Sequence, residues 1–140
     1  MTEEFDKMPF EEKVSFLVEN LRALPDDLAE KGIDILAQAG ETEYAVVLAR
    51  DKGMIDKAIS VLVQAGDYLW AALIAKNSGL DSRSQDLYRE GLQYYMGMEM
   101  FGRAISAATA LGLSPDVIDD LYRSGIAREC RDTDLAHSRD

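Results

Sequence analysis

The stretches KGIDILAQAG (31–40) and KAISVLVQAG (57–66) align without a gap, and both close on Gln-Ala-Gly. ETEYAVVLARDKG (41–53) lies between them and DYLWAALIAKNSG (67–79) follows, so Gly40, Gly53, Gly66 and Gly79 fall thirteen residues apart. Thirteen residues make about three helical turns plus a connector, too short for a helix that stands alone. The spacing therefore predicts stacked pairs, in which A helices (31–40 and 57–66) alternate with B helices (41–53 and 67–79). A third A copy, RAISAATALG, occupies 103–112.

Each recurring position has a physical reason. The closing glycine supplies a left-handed backbone that ends a helix without a Cβ penalty. Eight residues earlier the side chain is always small: Gly32, Ala45, Ala58, Ala71 and Ala104. Small residues there let neighbouring helices approach closely. The position five before the glycine holds Ile35, Leu48, Val61, Ile74 and Ala107. Four before it, the A helices carry Leu36 and Leu62 and the B helices Ala49 and Ala75, a large-against-small alternation.

On the N-terminal side, Phe10, Val14, Leu17, Leu21 and Leu24 recur at steps of four and three after Pro9. They predict an amphipathic helix of about four turns that covers one end of the stack. Pro25, with Asp26 and Asp27 behind it, starts the next helix where negative charge suits the dipole. The twenty residues from Leu80 to Glu99 read as a longer helix with Leu87, Tyr88, Leu92, Tyr95 and Met96 on its apolar side, Gly91 as a weak point and Gly97 at its end. Ser114 and Pro115 open a last helix expected to stop at Gly125. The domain organisation is thus a helical-repeat domain over 1–126 and a polar tail over 127–140 that is expected to fray.

The stretch from Lys57 to Gly79, with Ala58, the turn Ala65-Gly66-Asp67-Tyr68, Ala71 and Ala75, resembles the α-solenoid hairpins of vesicle-coat and clathrin-type proteins. Leu92, Tyr95, Phe101, Ala104, Ala108, Leu111 and Pro115 look like a tetratricopeptide repeat, with the proline one residue early and the glycine off register at Gly91. Together the two resemblances cover residues 25–125. They imply an all-α fold, a right-handed superhelix of short antiparallel helical hairpins whose usual work is binding other proteins. They carry over no catalytic residue.

Composition narrows the classes further. Fifteen cations against 26 carboxylates leave a formal charge of −11 in 140 residues, which repels nucleic acid and anionic lipid and suits a basic partner. The single cysteine, Cys130, excludes an internal disulfide and reads as a free thiol in a reducing compartment. The N-terminal MTEEFDKM is acidic where a signal peptide is basic and then apolar, so a cytoplasmic location is expected. His137, the one histidine, lies in the polar tail, which removes histidine-based zinc sites and triads. No phosphate-loop or dinucleotide fingerprint is present. Asp116, Asp119 and Asp120 form the best carboxylate cluster, yet acids at a helix N-terminus are expected there for the dipole alone. Met96, Met98 and Met100 flank Gly97, and the expectation is that they fill a core junction.

One feature stands out as a candidate site. Nine, six and two residues before the glycine, the A helices carry Lys31, Asp34, Gln38, then Lys57, Ser60, Gln64, then Arg103, Ser106, Ala110. Each triplet shares a helix face turned away from the aliphatic positions. Lys31, Lys57 and Arg103 form a column of cations suited to carboxylates of a partner peptide, or else simply offset the surrounding acids, with Gln38 and Gln64 as amides beside them. The expectation is a non-enzymatic interaction or scaffold module with a protein or peptide partner and no cofactor or metal. The alternatives are a self-associating structural subunit and, on the Asp116 cluster alone, a magnesium-dependent enzyme.

Overall fold

A computed structural model describes residues 2–137. They are mostly helical, with no strand among the described residues, so the fold is all-α. The elements are α1 (Thr2–Asp6), α2 (Phe10–Glu19), α3 (Asp26–Gln38), α4 (Thr42–Asp51), α5 (Ile55–Gln64), α6 (Tyr68–Asn77), α7 (Asp81–Gly97), α8 (Phe101–Ala110) and α9 (Pro115–His137), with a 3-10 turn at Leu21–Ala23. The chain divides into two compact units, one up to Ala65 and one from Gly66 onward. Within each, a helix packs on its neighbours in chain order, α2 on α3, α3 on α4 and α4 on α5, then α6 on α7, α7 on α8 and α8 on α9. Three-residue connectors at 39–41 and 52–54 reverse the chain between α3, α4 and α5.

The helix ends explain the period. Gly40, Gly53, Gly66, Gly79 and Gly112 all have positive φ, between 70° and 79°. At Gly40 the Glu41 N–H donates to the Leu36 carbonyl (2.9 Å) and the Gly40 N–H to the Ala37 carbonyl (3.1 Å), the paired bonds that satisfy the last open carbonyls of α3. Identical pairs close α4 and α6. The same bonds also close α7, where Met100 N–H reaches Tyr95 O (2.7 Å) and Glu99 N–H reaches Met96 O (3.1 Å), but the residue in the glycine place is Glu99, at φ 55°. Helix α7 therefore ends at Gly97, where the sequence expects it, and Glu99, two residues on, is its left-handed stop. Glu99 stands thirteen residues before Gly112, so the period continues through a residue that hides it. A non-glycine in this conformation costs about 1–2 kcal/mol. Arg128 of α9 bonds the Glu99 carbonyl and pairs with its carboxylate at 3.5 Å.

The small positions are buried as their spacing requires. Ala45, Ala58, Ala71 and Ala104 have no exposed surface, and a Cβ added to Gly32 would stand 2.8 Å from Leu17 Cδ2 and 3.3 Å from Leu48 Cδ2. Leu36, Ala49, Leu62 and Ala75 are likewise fully buried. Gly91 belongs to the same class. A Cβ there would lie 2.6 Å from the Cβ of Tyr68, so this glycine, a weak point for helix propensity, is where α7 lets α6 approach closely. Seven residues earlier, about two turns, buried Ser84 donates to the Ala72 carbonyl at 2.8 Å and spans the same pair of helices.

Other elements depart from the sequence expectation. The predicted four-turn helix ends at Glu19, where Asn20 Nδ2 donates to Phe16 O at 2.9 Å and diverts the chain into the 3-10 turn. Leu17 and Leu24 are buried, but Phe10 is 45% exposed. Phe5 of α1 is instead fully buried, with its ring 5.9 Å from that of Phe16. Helix α9 passes through Gly125 because that glycine lies against Phe101, where an added Cβ would meet Phe101 Cβ at 3.3 Å. Residues 127–137 are thus helical, while the side chains from 131 onward, His137 included, lie outside the described residues. Met96, Met98 and Met100 are exposed (46%, 56% and 38%) and do not fill a core junction.

Two alanine substitutions in α7 move stability in opposite directions. Gly97→Ala, with nothing within 4 Å, is expected to stabilise by up to about 1 kcal/mol through helix propensity. Gly91→Ala gains the same propensity but forces α6 and α7 apart, and overpacking of about 1–3 kcal/mol outweighs it. Urea unfolding of both variants checks the signs.

Candidate functional site

Helices α3 and α5 carry the first two triplets, and the structure brings most of their members together. Asp34 and Gln38 of α3 with Lys57, Ser60 and Gln64 of α5 line an open cleft of about 330 Å³ floored by Ala37 and Val61. A second hollow, shared at Ala37, Val61 and Gln64, continues it to Gly40, Thr42 and Ala65. The helices present these residues because their buried faces are fixed by Ile33 and Leu36 on α3 and by Ala58, Ile59 and Leu62 on α5. What remains at steps of three and four is the polar strip. Gln38 and Gln64 are exposed, and neither carboxamide has a hydrogen-bond partner among the described residues.

The cations are held by the chain's own carboxylates. Lys57 Nζ lies 3.2 Å from Asp34 and 3.6 Å from Glu30 and also donates to the Glu30 carbonyl at 3.4 Å. Lys31 does not line the cleft and pairs with Asp6 of α1 at 3.5 Å. Arg103 belongs to the second unit, 3.9 Å from Asp67 and stacked 5.7 Å over the ring of Tyr95. Asp67 in turn caps α6 by accepting the Trp70 N–H at 3.1 Å.

Below Arg103 lies a connection that sequence reasoning missed. The hydroxyl of fully buried Tyr95 donates to the Gly66 carbonyl and accepts the Tyr68 N–H, each at 2.9 Å. Tyr68, Tyr94 and Tyr95 stack around it with centroids 5.4–6.1 Å apart. One buried phenol thus satisfies both backbone groups at the start of α6 and keeps its own polar atom paired. The only sequence signal is the pair Tyr94-Tyr95 itself, which reads as ordinary packing.

Asp116, Asp119 and Asp120 are exposed, and Asp120 lies 3.9 Å from Arg123. Among the described residues no group of three or more histidine, cysteine, aspartate or glutamate side chains converges to hold a metal ion. Nor is any helix among them long and apolar enough to cross a membrane. Comparison of the chain with protein-family models, curated proteins and solved structures returns no match.

The ion pairs around Lys57 hold side chains in place more than they hold the fold together. Both carboxylates are more than half exposed (69% and 60%), a setting in which such pairs contribute about 0–1 kcal/mol. Lys57→Met is expected to change unfolding free energy by less than about 1 kcal/mol, and thermal or urea melts in low and high salt check it.

Proposed function

We propose that this chain is a non-enzymatic protein-interaction module whose α3–α5 cleft takes up a segment of a partner protein. The observation that carries the reading is the pair of carboxamides, Gln38 and Gln64, without a hydrogen-bond partner among the described residues and set over Ala37 and Val61 in one open cleft. A carboxamide both donates and accepts, so two of them along a groove match the alternating N–H and C=O groups of an extended main chain. The tetratricopeptide-like and clathrin-type likeness of the hairpin sequences agrees with this role, and the proposed module is a right-handed superhelical arrangement of the hairpins with a cytoplasmic location. Charge argues the same way against other partners, because −11 disfavours nucleic acid and anionic membrane.

Of the five residues that the sequence nominates, Gln38 and Gln64 are assigned to partner contact and Lys57 to orienting the acids at one end of the cleft. Lys31 and Arg103 are assigned to the surrounding surface, each beside a carboxylate of the chain. Self-association is the second reading. Its support is the exposure of Val117, Tyr122 and Ile126 on α9.

Affinity purification from the native cell with the intact chain and a Gln38→Ala/Gln64→Ala variant, alongside sedimentation of both, tests the assignment. The reading expects a monomer and a co-purifying protein whose recovery falls at least about tenfold in the variant. A tight homodimer with the same recovered set for both chains would contradict it.

A further inference from the structure

We infer that the segment bound in the α3–α5 cleft is basic, an inference that rests on the docking role proposed above. The two adjoining hollows follow α5 from Lys57 to Ala65. At 1.5 Å per residue that run is about 12 Å long, the span of about three or four extended residues. The floor of Ala37 and Val61 accepts a small or aliphatic side chain, and the carboxamides of Gln38 and Gln64 address the main chain. Such a groove specifies an extended peptide but not its sequence. The charge at the Lys57 end supplies the selection.

Read from sequence alone, the lysine column points to acidic partners, and the geometry reverses that sign. Lys57 already faces two carboxylates and a carbonyl, at 3.2, 3.6 and 3.4 Å, so the trio Glu30, Asp34 and Lys57 carries a net charge of −1. Lys31, the one cation of α3, is engaged by Asp6. Among the exposed groups of α3 and α5, Asp26, Asp27 and Asp56 add only negative charge, with Asp26 also pairing Lys52 at 3.1 Å. An acidic segment would have to displace Glu30 and Asp34 from Lys57, losing two pairs to form one. A lysine or arginine displaces nothing. The exposed sides of both carboxylates retain free lone pairs that accept an ammonium or a guanidinium. The field of a chain with charge −11 steers such a segment inward.

The test is a titration of the isotope-labelled full chain, followed by NMR, with three pools of end-blocked hexapeptides. One pool contains lysine and arginine, one aspartate and glutamate, and one neither. The expected result is that the basic pool shifts the side-chain amide signals of Gln38 and Gln64. Its affinity should fall at least about tenfold between roughly 20 and 300 mM salt. It should also fall at least about fivefold in Glu30→Gln/Asp34→Asn, or measurably in Asp34→Asn alone, with the helical circular dichroism unchanged. Equal or stronger shifts from the acidic or neutral pool at the same two amides would overturn the basic assignment and leave the docking role standing. So would basic binding that ignores both charge variants. Shifts confined to other residues, or none from any pool, would overturn the docking role and the basic assignment together.

Discussion

A ten-residue helix does not survive by itself in water, and α4, α5, α6 and α8 each have ten residues. What keeps them folded is close approach of one backbone to the next, and that approach is possible only where the facing side chain is small. Gly32, Ala45, Ala58, Ala71, Gly91 and Ala104 are those places, all of them buried. The left-handed stops do the complementary work of turning the chain within three residues so that the next helix lies against the last. Neither device functions without the other. A tight turn brings nothing into contact across a bulky interface, and small residues have no neighbour to meet if the helix runs on.

This division of labour leaves the outer strip of each A helix out of the close helix contacts, and polar and charged side chains gather there. On α3 and α5 the strip is amide and ion pair over an aliphatic floor. On α8 it is drawn back into the structure, with Arg103 resting on Tyr95 and beside Asp67. Copies of one sequence pattern thus sit in different surroundings, because the neighbours of each copy differ. In the second unit the neighbour is a buried phenol that fastens the start of α6. In the first it is open groove.

Much of the fold was legible because the devices leave periodic marks. A glycine every thirteen residues, an alanine eight before it and an aliphatic five before it are visible to inspection, and they place α3 to α6 and α8 to within a few residues. The misses also have physical causes. Glu99 adopts the glycine conformation without being glycine, so the sequence loses the period where the backbone keeps it. Gly91 and Gly125 are contact points inside helices, and from sequence a contact glycine is indistinguishable from a stop. Helix α1 is five residues long, too brief to show any period, although its Phe5 is fully buried. At the candidate site the columns of residues were legible, but their electrostatics were not. The partners of Lys31, Lys57 and Arg103 are Asp6, Glu30 with Asp34, and Asp67, brought in from other helices or turns by the packing itself.

Native-state hydrogen exchange of the first unit measures the mutual support of short helices most directly. If close approach at small residues holds them, the amides of α4 and α5 open together with one free energy, and Ala45→Leu lowers the protection of α3, α4 and α5 by the same amount. Protection of α5 that persists while α4 exchanges freely would contradict the account, because it would mean that a ten-residue helix stands without its neighbour.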